Sequence, residues 1–364
     1  MISVNEYLFD MSQSFKEKYN LKDVLSKIGN LQNKIPVINV VGTNGKGSTS
    51  HYLSLGLKSK YNKVGLFISP AFQYHNERIQ INNVPIGDQD LLRIVKHIED
   101  NFAQFNLTFF EMWVLIAVIY FNENKIDIAV IEAGIGGIKD MTNLFNNQLL
   151  TLVTSVSLDH VELLGPNIED IIYQKVNIAK PNTQVIISAD NFKYKSIFKE
   201  KIINRVNMLF LENEQNDDYQ INNKQLVKSA LEFLKIDIDE SLFNLDPPLG
   251  RYSKIKNVII DGAHNVDAIK KLITKVKKEE QKVKILYASI VSKDYNEILK
   301  LLDENFSEVY ITNFENYKSW NIDNIKHENK IYNWKEFLDQ NKDNKILVCG
   351  SLYFIPEVYK YLKK

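Results

Sequence analysis

Short apolar runs rich in β-branched residues recur along the chain, separated by longer stretches with helical periodicity. The runs predict buried strands at 36–41, 64–68, 126–132, 150–156, 184–188, 257–261, 283–288, 308–312 and 345–349. The stretches between them predict helices, among them 88–101, 109–124, 168–179 and 266–279. Strands that alternate with helices are typical of parallel sheets covered on both faces, so the pattern predicts an α/β fold.

A segment with the sequence Asp-Pro-Pro-Leu-Gly-Arg, at 246–251, interrupts this alternation. Two prolines and a glycine end any regular element, so we predict a hinge linker there. The linker divides the chain into a larger N-terminal domain, 1–245, and a smaller C-terminal domain, 252–364. We expect a P-loop-type, mostly parallel sheet flanked by helices in the first and a Rossmann-like α/β fold in the second. The stretch 192–220 is polar and irregular.

Composition and charge narrow the classes of function. The 364 residues include 45 basic and 45 acidic side chains, and this balance argues against a protein that mainly binds nucleic acid or an anionic membrane. The single Cys349 can form neither an internal disulfide nor a cysteine-based zinc site. The longest apolar run, 112–121, is about half of what spans a bilayer, and the first residues lack an apolar signal core. We therefore expect a cytoplasmic protein.

A glycine-rich run that begins at Val40, VVGTNGKGST, follows one predicted strand and opens a helix. Glycines let the backbone turn so that successive N–H groups point at one anion, and the helix adds its positive N-terminal dipole. Lys46 can reach the outer phosphates, and Ser48 or Thr49 can hold Mg²⁺ or a phosphate oxygen. The spacing differs from GxxxxGK[ST], because Val40 replaces its first glycine and Gly47 separates Lys46 from Ser48. The run predicts a nucleotide site; the alternative is a glycine-rich turn without a ligand.

This run resembles the nucleotide loop, GTNGKGS, of the folylpolyglutamate synthase and dihydrofolate synthase family in the Mur ligase superfamily. Further segments match that family in the same order. They are FISP at 67–70, ERI at 77–79, TFFE at 108–111, EAGIGG at 132–137, DMTN at 140–143, LDH at 158–160, LG at 164–165, Lys175, GR at 250–251, DGAHN at 261–265 and GSLY at 350–353. TFFE and the SP…ERI segment narrow the resemblance to the folate branch.

The resemblance implies an ATP-dependent acid–amino-acid ligase. Such enzymes phosphorylate a carboxylate with ATP and Mg²⁺, and the amine of an amino acid then attacks the acyl phosphate. The expected reaction adds L-glutamate to the γ-carboxylate of tetrahydrofolate and releases ADP and phosphate. Alternatives are a dihydrofolate synthase or bifunctional enzyme that uses 7,8-dihydropteroate, another Mur-type ligase, or a degenerate member that binds folate or nucleotide without ligation. The expected partners are these small molecules, without nucleic acid or membrane, and we expect a monomer.

Glu132 ends an apolar strand beside a glycine-rich turn, at the edge where open α/β sheets bind their ligands. The resemblance implies two Mg²⁺ sites, with the protein ligands Ser69, Glu132, His160 and Lys175. In that family the lysine is carbamylated by CO₂, which turns an ammonium group into an oxygen ligand. From the residues alone, a single lysine on a helix is usually solvated and a single histidine usually packed or capping. Gln174 stands where the family's usual neighbour of this lysine is Glu.

The resemblance also implies nucleotide-binding and catalytic roles for further residues. The ATP-binding residues are expected to be Thr43, Asn44, Gly45, Lys46, Gly47, Ser48, Asn223, Arg251 and Asp261. The expected catalytic residues are Lys46, Lys175 and His264, with the histidine facing the phosphate and the incoming glutamate. Asn265 is also a candidate N-cap of the helix that follows. Lys293 and Asp294 resemble a lysine–aspartate pair of the family's C-terminal domain.

Thr108 and Glu111 have the spacing of a helix capping box, which by itself explains both residues. The resemblance adds contacts from this turn to the pteridine and its neighbouring ring, although paired aromatic side chains can equally belong to a core. The folate-binding residues it implies are Thr108, Phe109, Phe110, Glu111, Lys139, Asp140 and Met141.

Three residues depart from the family pattern. Ala71 follows the Ser-Pro pair where many relatives have histidine, and Ile138 stands where many have arginine. Tyr219 replaces a histidine that precedes the nucleotide-contacting asparagine. The first two changes remove polar groups near the expected pterin, so the sequence leaves the pterin substrate open. Arg78, one of four arginines, suits a carboxylate or phosphate ligand, or a surface pair with Glu77.

Overall fold

The structure, a computed structural model, describes most of the chain as six stretches: 1–2, 20–212, 219–280, 282–291, 295–316 and 318–364. For residue 219 the structure describes only the backbone. Lys293 and Asp294, which the sequence singled out, lie outside the described residues. The chain divides into two compact units, one ending at Asp246 and the other beginning at Pro247. No described helix is long and apolar enough to cross a membrane.

The first unit is organised around one large sheet. Its strands are β1 Val37–Val41, β2 Val64–Phe67, β3 Ile79–Ile81, β4 Val84–Pro85, β5 Ile128–Glu132, β6 Gln148–Val153, β7 Gln184–Ile187 and β8 Asn207–Phe210. In the described chain they take the order β4-β3-β2-β5-β1-β6-β7-β8. Neighbouring strands are parallel except for the pairs β2–β3 and β3–β4, which are antiparallel because β3 runs opposite to the other strands. The carboxyl ends of β2, β5, β1 and β6 therefore meet at one edge of the sheet.

Helices cover both faces of this sheet. They are α1 Leu21–Lys27, α2 Lys46–Leu57, α3 Asp88–Phe102, α4 Phe109–Glu123, α5 Val161–Leu164, α6 Ile168–Val176, α7 Lys195–Lys201 and α8 Tyr219–Phe233. Successive side chains of β1 point to opposite faces, because a strand has a period of two. Val37 packs in a core with α1, α3 and α4, whereas Ile38 packs in a second core with α2 and α8. Strands that are buried on both faces explain the continuous apolar runs in the sequence.

The second unit contains a smaller sheet. Its strands are β9 Ser253–Ile255, β10 Val258–Ile260, β11 Lys284–Tyr287, β12 Val309–Thr312, β13 Lys330–Ile331 and β14 Ile346–Cys349. Its helices are α9 Val266–Glu279, α10 Tyr295–Asn305, α11 Trp334–Gln340 and α12 Phe354–Leu362. The described strands take the order β13-β12-β11-β14-β10-β9, parallel except at β9. The predicted fold class, two α/β units with mostly parallel sheets, is confirmed.

Every strand that the sequence predicted overlaps an observed strand, but the interpretation of 192–220 as irregular is wrong. Within that stretch lie α7 and β8, and α8 begins at its end. β8 is an edge strand whose residues alternate between exposed and half-buried, so its sequence lacks a continuous apolar run. Residues 213–218 lie outside the described part of the chain.

Candidate functional site

The glycine-rich run forms a loop between β1 and α2. Gly45 has a φ of +92°, a left-handed conformation that favours glycine, and Lys46 begins α2 directly after it. The Thr43 N–H donates to the Ser155 carbonyl at 2.7 Å, and the Thr43 hydroxyl donates to the Ser157 carbonyl at 3.0 Å. The segment after β6 therefore supports the loop from one side. Loop amides gathered at a helix N-terminus are the arrangement that binds phosphate.

Two lysines meet at one carbonyl oxygen of this loop. Lys46 Nζ donates to the carbonyls of Gly42 and of the following residue, both at 3.1 Å, and Lys175 Nζ donates to the Gly42 carbonyl at 2.7 Å. Burial, and then the charge of Lys46, lowers the pKa of Lys175 from 10.5 to about 7. The carboxylates of Asp159 and Asp140 oppose this shift. This lowering of the pKa favours the neutral, nucleophilic amine of Lys175.

The lowered pKa of Lys175 makes the free energy of unfolding depend on pH. Between about pH 7 and 10.5 the unfolded chain holds a proton at Lys175 that the folded chain has lost, so raising the pH stabilises the fold by about 1.4 kcal/mol per unit. Below this window both states are protonated and the dependence disappears. We expect urea unfolding in CO₂-free buffer, between about pH 7 and 9, to show this gain for the wild type relative to Lys175→Met. Equal slopes for the two proteins would contradict the lowered pKa.

Glu132 ends β5 beside the strand that leads into the loop. It pairs with Val40 of β1, is 3% exposed, and accepts a hydrogen bond from the Ser69 N–H at 3.3 Å. Ser69 follows β2, which lies on the other side of β5. Glu132 stands at the carboxyl end of a buried strand, as the sequence predicted, and shares its edge of the sheet with Ser69 and the phosphate loop.

His160 lies in the connection after β6, where it is the N-cap of α5 with a φ of +51°. Its imidazole is 4.0 Å from the Asp159 carboxylate and 3.8 Å from that of Glu162. Within the described residues, no three His, Cys, Asp or Glu side chains cluster as a metal site. The donors at this edge are a carboxylate, a hydroxyl, an imidazole and an amine. The carboxylate and the hydroxyl are hard oxygen donors of the kind that Mg²⁺ prefers, whereas an imidazole is a poorer donor and an amine is not a Mg²⁺ ligand, so most positions around the ion would fall to water and substrate phosphates.

The first turn of α2 packs against α8 through polar side chains. The Thr49 hydroxyl donates to Asn223 Oδ1 at 3.5 Å, and Gln220 Nε2 donates to Ser48 Oγ at 3.4 Å. A Cβ atom on Gly45 would collide with the Asn223 amide, so Asn223 lies directly beside the loop. Gln220 lies in the same matched segment as Asn223 but was not among the expected site residues. Its spacing of three residues from Asn223 places both on one helix face, which is the signal that could have identified it.

The capping box predicted at Thr108 and Glu111 is confirmed. Glu111 Oε2 accepts hydrogen bonds from the Thr108 N–H at 2.8 Å and from its hydroxyl at 2.9 Å. Glu111 Oε1 accepts hydrogen bonds from the N–H groups of Asn20 and Leu21, at 2.7 and 2.8 Å. Glu111 is fully buried and both of its carboxylate oxygens accept hydrogen bonds, so it connects the start of α4 to the start of α1.

Phe109, which is half-buried, belongs to a group of rings around a buried guanidinium. The Arg78 guanidinium lies 5.3 Å from the Phe109 centroid and 5.6 Å from that of Trp113, and the His75 ring stacks on Trp113 at 5.4 Å. Arg78 is 7% exposed, so its interpretation as a surface pair with Glu77 is wrong. Glu77 instead accepts hydrogen bonds from three successive backbone N–H groups that precede it.

The loop after β5 brings the remaining expected folate residues together. Phe110 occupies the space that a Cβ on Gly134 would need. Asp140 is buried, and its carboxylate accepts hydrogen bonds from two N–H groups of its own loop at 2.8 and 2.9 Å. Met141 is also buried, whereas Lys139 is exposed. Asp140 therefore fixes the shape of this loop.

A polar network that the motifs did not predict lies under the same loop. Gln148 Nε2 donates to Asn39 Oδ1 at 2.8 Å, and the Lys180 N–H donates to Gln148 Oε1 at 2.8 Å. Lys180 Nζ donates to the carbonyl and the side-chain oxygen of Asn143 at 2.6 and 2.8 Å. The network joins β1, β6 and the loop after β5 to the chain just beyond α6. Its signal in the sequence is Asn39, a polar residue inside the buried strand VINVV.

In the second unit, the expected residues gather at the carboxyl end of β10. Asp261 Oδ1 accepts a hydrogen bond from the Ala263 N–H at 2.7 Å, and His264 Nδ1 lies 2.7 Å from the Gly262 carbonyl. Asn265 caps α9 by accepting from the Ala268 N–H at 2.9 Å, as its sequence position predicted. The backbone just before Arg251 contacts this turn, because the Gly262 N–H donates to the Gly250 carbonyl at 2.8 Å.

Comparisons with known proteins agree with this architecture. The family model for the Mur ligase middle domain matches residues 40–260. The dihydrofolate synthase/folylpolyglutamate synthase of Bacillus subtilis is 26% identical, with 94% of each chain covered. A solved FPGS–AMPPCP–folate complex is 26% identical, with a TM-score of 0.80 over 98% of this chain and 97% of that one. A bifunctional folylpolyglutamate synthase/dihydrofolate synthase with Mn, AMPPNP and L-glutamate bound shares the fold, at 21% identity and a TM-score of 0.82 over 97% and 96%. The chain belongs to the Mur ligase family, in its folylpolyglutamate synthase and dihydrofolate synthase branch.

Proposed function

We propose that this ligase adds L-glutamate to the γ-carboxylate of tetrahydrofolate through an acyl phosphate and releases ADP and phosphate. The observation that carries the proposal is the meeting of Lys46 and Lys175 at the Gly42 carbonyl, with Glu132 at the end of the adjacent strand. A phosphate loop with these groups beside it suits transfer of a phosphoryl group. AMPPCP and folate in one related complex support the choice of substrates.

ATP binds at the phosphate loop in this proposal. The loop amides hold its phosphates, and Lys46 turns from the loop carbonyls to the transferring phosphoryl group, where its charge is most useful. Asn223 contacts the nucleotide from its place beside Gly45. The loop residues assigned to ATP are Thr43, Asn44, Gly45, Lys46, Gly47 and Ser48.

Glu132, Ser69 and His160, at the carboxyl edge of the sheet, are the residues that would hold Mg²⁺. When bound, it neutralises phosphate charge. Lys175 would supply a further oxygen ligand as a carbamate: its neutral amine forms a bond to the carbon of CO₂ as one C=O π bond opens, and the nitrogen releases one proton to solvent. The low pKa of Lys175 supports this step, because a protonated amine cannot add to CO₂.

The proposal assigns Arg251 and Asp261 to ATP and His264 to the incoming glutamate. Their place at or near the carboxyl end of β10 supports this assignment, since parallel sheets bind ligands at that end. The functional division of the chain into 1–245, an ATP- and folate-binding part, and 252–364, a glutamate-ligase part, is also a proposal.

The folate lies against the rings of Phe109 and Phe110 and the neighbouring Lys139 and Met141. In this assignment Thr108, Glu111 and Asp140 act by shaping the pocket, because their polar atoms are engaged within the protein. The exposed Lys139 is the residue of this group best suited to a substrate carboxylate.

The test is a glutamate-dependent ADP release assay with tetrahydrofolate, 7,8-dihydropteroate and UDP-muramoyl acceptors. We expect tetrahydrofolate to support turnover that requires L-glutamate and Mg²⁺. Turnover with 7,8-dihydropteroate as well would indicate a bifunctional enzyme, which the name of the Bacillus subtilis relative supports. ATP binding without turnover of any acceptor would overturn the proposal. Sedimentation of the same preparation tests the expected monomer.

A further inference from the structure

A fully buried asparagine, Asn191, lies next to the segment that supports the phosphate loop. It belongs to a 3₁₀ turn, Ala189–Tyr194, that follows β7. Its amide oxygen accepts a hydrogen bond from the Val156 N–H at 2.8 Å, and its amide nitrogen donates to the Thr154 carbonyl at 2.7 Å. One side chain thus satisfies a backbone donor and a backbone acceptor two residues apart. Asparagine suits this place because its amide presents both groups together.

The Asn191 amide continues the support that β7 gives to β6. The backbone pairing of the two strands ends where the Ser188 N–H donates to the Val153 carbonyl at 2.9 Å. Beyond this point the chain after β6, residues 154–156, is hydrogen-bonded on this side to the Asn191 side chain instead of to the backbone of β7. Asn191 therefore holds in place a stretch of chain that has left the sheet.

The phosphate loop lies against the same stretch of chain. The Ser155 carbonyl accepts from the N–H groups of Thr43 and Asn44 at 2.7 and 3.3 Å, and the Thr154 N–H donates to the Val41 carbonyl at 2.8 Å. A Cβ on Gly42 would collide with the Thr154 side chain, so loop and support are in close contact. A shift of the support would therefore move the loop.

We infer that Asn191 is a positioning residue for the nucleotide. It acts through 154–156, which sets the position of the Gly42 carbonyl on which Lys46 and Lys175 converge. The inference rests on the proposed function, in that the loop binds ATP. A small displacement of a phosphate-binding loop weakens every hydrogen bond to the phosphates at once, so the loss falls on nucleotide affinity and spares the folate.

The chain offers a matched control for this residue. Asn82 Oδ1 accepts from the Val64 N–H at 2.9 Å, and Asn82 Nδ2 donates to the Asn62 carbonyl at 2.8 Å. This is the same pattern across two residues, but it lies at the amino end of β2, at the edge of the sheet opposite to the loop. Asn82 has a φ of +54°, so alanine there adds strain to the lost hydrogen bonds. Asn82→Ala is expected to destabilise the protein without moving the loop.

The experiment measures the Kd of full-length protein for AMPPNP with Mg²⁺ and for tetrahydrofolate, together with the thermal midpoint. Asn191→Ala is expected to raise the AMPPNP Kd about tenfold or more and to leave the tetrahydrofolate Kd within about twofold. Asn191→Asp keeps the acceptor for Val156 and loses the donor to Thr154, and it is expected to weaken AMPPNP binding as well. Asn82→Ala is expected to lower the thermal midpoint with an unchanged AMPPNP Kd.

Three outcomes overturn the inference. If both Asn191 variants bind AMPPNP with the same Kd as Asn82→Ala, then Asn191 does not position the loop. Equal weakening of AMPPNP and tetrahydrofolate would indicate general damage to the fold, and so would failure of both Asn191 variants to fold. A wild type that binds no AMPPNP would instead overturn the proposed function, so the two failures are distinguishable.

Discussion

Replacement of Lys46 by alanine is expected to leave a folded protein whose glutamate-dependent ADP release falls about 1,000-fold or more. The fold survives because the loop is held by the hydrogen bond from the Thr43 N–H to the Ser155 carbonyl, which does not involve the Lys46 side chain. The activity is lost because a positive charge at the loop is needed when negative charge develops on the transferred phosphoryl group. Circular dichroism and the ADP assay on the same sample measure the two effects.

The control for this variant is Lys58→Ala. Lys58 is the C-cap of the same helix and is exposed, so its loss removes an equal charge far from the loop. We expect Lys58→Ala to keep wild-type turnover. Full turnover by Lys46→Ala would contradict both its assignment to the phosphoryl group and the nucleotide site itself.

Lys46 also influences the second lysine at the loop. Its charge contributes to the low pKa of Lys175, so removing it raises that pKa and leaves less neutral amine at neutral pH. The Lys46→Ala defect therefore has two components. AMPPNP affinity reports the direct loss at the phosphates, whereas incorporation of ¹³C-bicarbonate into a carbamate reports the indirect loss at Lys175.

The fold could be predicted from the sequence wherever burial is continuous. β1 and β5 are covered on both faces and appear as uninterrupted apolar runs. β8 escaped prediction because it lies at the edge of its sheet, where alternate residues meet solvent. A capping box such as that of Thr108 and Glu111 is also readable, because its partners are three residues apart.

The site was predictable only in its local parts. The glycine loop is readable because its conformation is a local property, with Gly45 in a left-handed region. The contact of Lys175 with the Gly42 carbonyl joins residues 133 positions apart. The helical spacing of Lys175 from Ile171 and Ile172 places it on the buried face, but it does not reveal which distant group the lysine meets. Asn191 reaches residues 35 and 37 positions away, and it belongs to none of the predicted strands or helices. Such contacts are set by the topology of the sheet, which motifs do not encode.

Replacement of Lys175 by alanine is expected to lower turnover about 100- to 1,000-fold and to permit partial recovery when a short carboxylate such as acetate is added. Alanine leaves a cavity in a buried place, and a carboxylate anion can supply there the two oxygens of the missing carbamate. Lys175→Met is the matched control, because its apolar side chain fills the cavity and should prevent recovery. Acetate that stimulated both variants equally, or full turnover by either, would contradict the carbamate.

The proposed carbamate of Lys175 is expected to depend on Mg²⁺ in the wild type. Lys175 Nζ lies 2.7 Å from the Gly42 carbonyl oxygen. Adding CO₂ to this nitrogen places an anion in a buried position beside that oxygen, and burying the anion is unfavourable without a cation. Lys46 supplies one positive charge nearby, but its ammonium group already donates hydrogen bonds to two loop carbonyls. A ¹³C NMR titration with ¹³C-bicarbonate should therefore show a carbamate signal that grows as Mg²⁺ is added and is missing from Lys175→Ala. A signal of full intensity without Mg²⁺ would show that Lys46 alone stabilises the anion, and would remove Lys175 from the metal ligands.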